Sequence, residues 1–342
     1  MTPAVSVLMP VRDAADTVEL AVRSVLGQTL GDLELVVVDD GSRDGSVARV
    51  CEAAAGDRRV RVIEQPALGL VAALNRAGSE ARAPLLARMD ADDESLPRRL
   101  ERQVAAIRAG GEALAVVSCR VASLGEPLGD GWRRYLAWLD SVRSEEDIAR
   151  ELLVESPLAH PSVLMRRAAF ERVGGYRDFD GPEDYDLWLR LAAAGYRFCK
   201  VDEMLLRWRD SASRLTREDG RYRPEAFLRC KAEYLARATL ARGGAGFARP
   251  LVIWGAGRAG RLLGRALEAH GVEIEAFIDI DPNKIGRTRR GRPVHSPEAL
   301  SDVGLAESFV LAAVPVVGAR RLIREHLAGI GRRELDDFVM CA

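Results

Sequence analysis

The sequence predicts an α/β protein, with a mostly parallel sheet covered by helices on both faces and a smaller α/β domain behind it. Three observations predict this. Short apolar runs alternate with helical patterns through the first hundred residues. An acidic cluster, Asp90-Ala91-Asp92-Asp93, directly follows one of those runs. Near residue 250 the alternation restarts with a strand, a glycine turn and a helix.

Val5 to Met9 reads as the first strand, and Asp16 to Leu26 as a helix with Val18, Ala21, Val22 and Val25 on one face. Leu33 to Val38 is a second buried strand and Ser46 to Ala55 a second helix. Val60 to Glu64, Gly69 to Ala77 and Leu85 to Met89 continue as strand, helix and strand. This alternation implies parallel pairing and is a nucleotide-binding architecture by default. Leu96 to about Ala109 reads as a helix and Ala113 to Ser118 as a strand. From Gly125 to about Leu240 the pattern is irregular, with a Trp-bearing helix (Trp132, Trp138), a strand at Ser162 to Met165 and a helix from Glu183 to about Ala194. Ala241 to Gly246 is glycine-rich and reads as a linker. The expected organisation is therefore one domain over 1–240, halved at 110/111, a linker over 241–250 and a second domain over 251–342.

Composition narrows the class. Fifty basic and 51 acidic residues leave a net charge of -1, which gives no pull toward nucleic acid. Five cysteines (Cys51, Cys119, Cys199, Cys230, Cys341) are scattered without metal or disulfide spacing, which fits a reduced, cytoplasmic setting. The start of the chain has no basic leader, and no apolar run approaches the roughly 20 residues that span a bilayer. A soluble protein, able to visit the inner face of a membrane, is expected.

The acidic cluster stands at the carboxyl end of a strand, where open α/β sheets bind ligands. Carboxylates this close repel unless a cation or proton neutralises them, and magnesium or manganese holding a diphosphate is the matching partner. A solvated turn that opens the next helix is the competing reading. The first two strands end in Pro10-Val11-Arg12-Asp13 and Asp39-Asp40-Gly41-Ser42. Asp39, Asp40, Asp90 and Asp92 thus line one edge, where an acid accepts a hydrogen bond from a base or a ribose.

These residues form part of an ordered set: Pro10 to Asp13, Ser24-Val25-Leu26-Gly27-Gln28, Val36 to Ser42, Ala73-Leu74-Asn75, Arg88 to Asp93 and Pro97 to Gln103. It continues with His160-Pro161-Ser162, Gly174-Gly175-Tyr176 and Glu183 to Arg190. Over roughly residues 1–215 the sequence resembles the family 2 glycosyltransferases of the GT-A fold. The resemblance implies a nucleotide-sugar donor, most often a UDP-sugar, a divalent metal, and inverting transfer to a hydroxyl of a saccharide or glycolipid. It makes 111–240 the acceptor half. It implies Asp92 as metal ligand, Asp90 on metal or ribose, Asp39 reading the base, and Pro10 and Arg12 bordering it. Asp40, Asn75 and Arg88 join the donor site. The first turn departs from the family in carrying Arg12-Asp13 where many members have an aromatic and Asn.

Glu183 and Asp184 open a helix, where acids are favoured by the dipole; the resemblance makes Asp184 the general base. His160 fits either a contact to metal or phosphate or an internal hydrogen bond. Trp132 and Trp138 fit core or a sugar-stacking face, and Arg207 and Arg209 a phosphate or a surface ion pair. In the second domain, Val252 to Trp254 runs into Gly255-Ala256-Gly257-Arg258-Ala259-Gly260, and Phe277-Ile278-Asp279 ends a second strand about twenty residues on. This is the dinucleotide fingerprint in context, with Gly255, Gly257, Gly260 and Asp279 as candidate nucleotide contacts. The region resembles small Rossmann-like domains attached to sugar-modifying enzymes. It leaves two rival functions: an NAD(P)-binding sugar-nucleotide-modifying enzyme, and a non-catalytic nucleotide-binding scaffold. Homo-oligomer formation is compatible with every reading.

Overall fold

The computed structural model describes residues 2–125, 129–211, 219–241, 249–302 and 304–342. The chain forms two compact units. The first comprises Met1–Ala149, Pro157–Phe179 and Glu183–Glu218; the second comprises Arg150–Ser156, Asp180–Pro182 and Asp219–Ala342.

The first unit opens with β1 (Val5–Val11), α1 (Val18–Leu26), β2 (Leu33–Asp40), α2 (Ser46–Ala54), β3 (Val60–Gln65), α3 (Leu70–Glu80) and β4 (Leu85–Arg88). It continues with β5 (Glu94–Ser95), α4 (Arg99–Ala109), β6 (Leu114–Leu124), α5 (Asp130–Ser141), α6 (Glu145–Glu151), β7 (Leu164–Arg166), α7 (Arg167–Arg172), α8 (Glu183–Ala193) and β8 (Arg197–Arg209). Its sheet runs β3-β2-β1-β4-β7-β6-β8-β5. The first four of these strands pair in parallel, as the alternation predicts, so the carboxyl ends of β1, β2 and β4 share one edge. β2 is buried along its whole length, and Val18, Ala21, Val22 and Val25 of α1 are buried in the same core.

β7 breaks the parallel pattern, pairing antiparallel with both β4 and β6. β8 is a strand that periodicity missed. It carries Arg197, Lys200, Asp202, Glu203, Arg207 and Arg209, which hide the alternation. Those charges are carried on partners: Arg197 meets Glu145 at 2.7 Å and Arg207 meets Glu94 at 2.9 Å.

The second unit contains α9 (Pro224–Ala241), β9 (Leu251–Trp254), α10 (Arg258–Ala269), β10 (Ala276–Ile278), β11 (Thr288–Arg289), β12 (Arg292–His295), β13 (Phe309–Ala312), α11 (Ala319–Gly329) and β14 (Phe338–Met340). Strand order is β11-β12-β10-β9-β13-β14, with all pairs parallel except β11–β12. Numbered from β9, the parallel strands fall in the order 3-2-1-4-5 of doubly wound sheets, with the switch point between β9 and β13. Leu228, Ala232 and Leu235 of α9 share an apolar cluster with Leu263 and Leu267 of α10. The longest stretch of the unit therefore starts at Asp219, upstream of the linker expected at 241–250, because α9 carries an apolar face that must be buried. The glycines of that linker lie outside the described residues. Among those that are described, no helix is long and apolar enough to cross a membrane.

Candidate functional site

The acidic loop leaves β4 at its carboxyl end. Ligand atoms of Asp90, Asp92 and Asp93 all lie within 4.8 Å of one another, with Asp93 buried and the other two partly exposed. Several side chains fix this loop. Arg209 donates its backbone N–H to Asp93 Oδ1 at 2.8 Å and its Nε–H to the Asp92 carbonyl at 2.8 Å. Arg99, fully buried, donates from Nη2 to the Arg88 carbonyl at 2.5 Å. Gln28 clamps the far side, donating to the Leu96 carbonyl at 2.8 Å and accepting from Leu100 N–H at 3.0 Å. Of the two readings weighed for Arg207 and Arg209, the surface ion pair holds for Arg207, which meets Glu94, while Arg209 donates into the acidic loop. Three carboxylates without a soft ligand suit magnesium or manganese.

The adjacent strand ends show how unequal neighbouring acids are. Asp39 is buried; its Oδ2 accepts the Ser42 N–H at 3.1 Å, while its Oδ1 is buried without a hydrogen-bond partner. Asp40, next in sequence, is fully engaged. Its Oδ1 accepts from Gln65 Nε2 and Leu68 N–H, both at 2.8 Å, and its Oδ2 from Gly69 N–H at 2.9 Å and Arg12 Nη1 at 3.4 Å. Asp40 therefore ties β2 to the loop before α3, and Arg12 leans on it with an exposed side chain. Pro10 is half-buried at the end of β1. Asn75, expected at the donor, is also spent: its amide donates to the Tyr176 carbonyl at 2.8 Å and accepts the Tyr176 N–H at 2.9 Å.

At the start of α8, Glu183 is buried and Asp184 is partly exposed, with Asp184 Oδ1 accepting the Tyr185 N–H at 2.7 Å. Behind them lies a buried polar group whose mutual contacts the sequence did not foretell. His160 Nε2 and the Tyr176 hydroxyl are 2.7 Å apart, and His160 Nδ1 lies 3.8 Å from Glu183 Oε1. Burial, reinforced by the positive charge of Arg88, holds the His160 pKa well below its usual value, so the imidazole is neutral. His160 is not among the three clustered acids, and one of its ring nitrogens is paired with the Tyr176 hydroxyl in the interior, the internal hydrogen bond weighed for it. Arg88 is buried too, and donates from Nη2 to Asp90 Oδ1 at 2.5 Å. Burial opposes its charge, but the Asp90 carboxylate, with Glu183 adding to it, outweighs that and raises its pKa. Tyr176 and the clamps Gln28 and Arg99 sit inside the ordered motifs, and that membership was the available signal.

In the second unit, Gly255 has φ +118°, and a Cβ there would stand 2.8 Å from the Ala313 carbonyl oxygen. A Cβ on Gly260 would fall 1.8 Å from the Gly255 carbonyl oxygen, whereas Gly257 faces open space. Gly255 and Gly260 are thus required by the packing of turn, strand and helix, and Gly257 is not. Asp279 is occupied: Oδ2 accepts from Ala256 N–H at 2.9 Å and Lys284 Nζ at 3.0 Å, and Oδ1 from Asp281 N–H at 3.0 Å. Burial works against its charge, yet these donors together lower its pKa.

Residues 6–174 match the sequence model of Glycosyl transferase family 2. EpsE of Bacillus subtilis, named as a glycosyltransferase, is 31% identical over 226 residues, covering 64% of this chain and 78% of that protein. The O-antigen biosynthesis glycosyltransferase WbnJ of Escherichia coli is 29% identical, covering 60% of this chain and 79% of the relative. Among solved structures, S. aureus TarS 1–349, in complex with UDP-GlcNAc, aligns with a TM-score of 0.55 at 16% identity over 78% of this chain and 72% of that one. That likeness shows the GT-A fold. The chain belongs to glycosyltransferase family 2, and is an enzyme of glycosyl transfer.

Proposed function

We propose that this enzyme is a metal-dependent, inverting transferase that moves a sugar from a nucleotide-sugar, a UDP-sugar in the first instance, to a hydroxyl of a saccharide or glycolipid acceptor. The observation that carries the reading is the trio Asp90, Asp92 and Asp93, gathered within 4.8 Å at the carboxyl end of β4. Asp92 and Asp90 would hold a magnesium or manganese ion, while Asp93 is engaged by Arg209. When bound, that ion offsets the charge building on the departing diphosphate.

The chain's own groups do the rest. Asp39 presents a buried acceptor oxygen without a donor, and a buried unpaired acceptor is costly until a ligand N–H satisfies it. The imide N–H of uracil is such a donor. Asp184, partly open to solvent at the head of α8, takes the proton from the acceptor hydroxyl as it attacks the anomeric carbon. The diphosphate leaves from the opposite face, so configuration inverts and no protein nucleophile is needed. Glu183, buried beside His160, backs the base rather than touching the acceptor. Polysaccharide assembly is the setting supported by relatives such as WbnJ and the amylovoran biosynthesis glycosyltransferase AmsE of Erwinia amylovora.

Thermal stabilisation by a panel of nucleotides and nucleotide-sugars, with and without manganese, tests this. The expected result is a manganese-dependent rise in Tm with one nucleotide-sugar, absent in Asp92→Asn. The rival reading places NAD(P) chemistry in the second unit, with the strand order and the glycine turn in its favour. There, however, Asp279 and the Ala256 N–H already satisfy each other. A metal-independent shift with NAD(P), and none with any nucleotide-sugar, would move the function there.

A further inference from the structure

Arg88 is a permanent cation beneath the acidic loop. Its side chain is 2% exposed, against 31% for Asp90. Its Nη2 donates to Asp90 Oδ1 at 2.5 Å and its Nη1 to the Met89 carbonyl, while its Nε–H is buried without a partner. Its backbone is fixed from both sides: the N–H donates to the Val163 carbonyl at 2.9 Å, and the carbonyl accepts from Arg99 at 2.5 Å. A guanidinium cannot shed its proton in a protein, and burying it is repaid only by a close anion. Asp90 is that anion. Yet Asp90 also belongs to the carboxylate trio. One carboxylate therefore faces an internal cation on one side and the proposed metal position on the other.

We propose that Arg88 is a placeholder cation: it occupies Asp90 until a divalent ion arrives together with a diphosphate, and so makes metal binding conditional on the nucleotide. This rests on the donor-site reading above. A bare divalent ion shares the Asp90 carboxylate with Arg88, whose Nη2 holds Oδ1, and so approaches a like charge held nearby in a poorly screened interior. A diphosphate brings oxygens that offset that repulsion and complete the ion's coordination. When Asp90 turns toward the metal, Arg88 is not left bare, because the charge of Glu183 also acts on it. Arg88 is thus a positioning residue, acting on the metal through Asp90.

The test is manganese binding by the full chain, read as loss of the free-ion paramagnetic resonance signal, with and without UDP. The wild type is expected to bind bare manganese at least roughly tenfold more weakly than manganese with UDP. Arg88→Met should bind bare manganese roughly tenfold more tightly than wild type and show a smaller gain from UDP, the size expected for removing one nearby charge. Arg88→Lys keeps the charge and should keep the wild-type dependence. The inference is overturned if Arg88→Met binds bare manganese no more tightly than wild type. Should that variant not fold, the wild type decides alone: affinities for bare and UDP-accompanied manganese within about twofold overturn it. A wild type that binds neither manganese nor UDP in any combination sinks the donor-site reading as well.

Discussion

Asp184 and Glu183 are neighbours in sequence and opposites in environment, and the roles proposed for them rest on that difference. Asp184 is partly exposed; Glu183 is buried beside His160. Asp184→Asn is expected to lower kcat by roughly 10²- to 10⁴-fold, the usual worth of a general base, with the donor-dependent Tm shift retained. Loss of that shift along with activity would instead make Asp184 part of the donor site. His160 gives a prediction in pH. Burial and then Arg88 depress its pKa in the folded state, so the native imidazole is neutral. The unfolded chain takes up a proton below about pH 6.5, the ordinary histidine value. Below that pH the unfolded state holds more protons, so stability falls as pH drops, by up to about 1.4 kcal/mol per unit. Between pH 7.5 and 5.5 the Tm of wild type should therefore fall further than that of His160→Gln; parallel slopes would contradict a neutral His160. This is also the scale at which the sequence was least legible. Only the family resemblance set Asp39 on the base apart from Asp40, and nothing in two identical letters says that one keeps a buried oxygen unpaired while the other accepts four hydrogen bonds. Asn75 shows the same limit, because its amide is consumed by the backbone of Tyr176, 101 residues away.

Elements were more legible than their partners. The helices and parallel strands of residues 1–110 follow from local periodicity, and β1 through β4 form close to where apolar runs place them. β8 failed because its solvent-side charges broke the run, and those charges become intelligible only once Glu94 and Glu145 stand opposite them. The glycine turn after β9 illustrates the reverse case, a motif correctly placed whose reason is structural. Gly260 and Gly257 belong to one fingerprint but differ physically. Gly260→Ala drives a methyl into the Gly255 carbonyl oxygen at 1.8 Å, whereas Gly257→Ala meets nothing within 4 Å. Relieving backbone overpacking costs roughly 1–3 kcal/mol or more, so Gly260→Ala should lower the denaturation midpoint of the second unit clearly and Gly257→Ala hardly at all. Equal effects of the two substitutions in urea would refute the packing argument.

At the scale of the whole chain, the most instructive boundary is the one near the glycine-rich run, and we propose that the second unit reaches upstream of it. The glycine-rich run near 241–250 reads as a linker, yet the 18-residue helix just before it, α9, packs against α10 beyond it. Glycine content reports local chain freedom; it carries no information on which side a preceding amphipathic helix buries its apolar stripe. The buried Lys231 reinforces the assignment, since its ammonium donates to the Cys341 carbonyl at 2.8 Å, 110 residues on. The consequence concerns fragments. A piece spanning 219–342 keeps α9 against α10 and keeps the Lys231–Cys341 bond; a piece spanning 249–342 exposes Leu263 and Leu267 and loses both. Each fully buried leucine contributes roughly 1.5–3 kcal/mol, comparable in sum to the whole stability of a small domain. Circular dichroism of the two fragments should therefore show a cooperative thermal transition for 219–342 and a broad or absent one for 249–342. If the shorter fragment melts as sharply and at the same temperature, α9 is dispensable to the second unit and the boundary returns to the glycines.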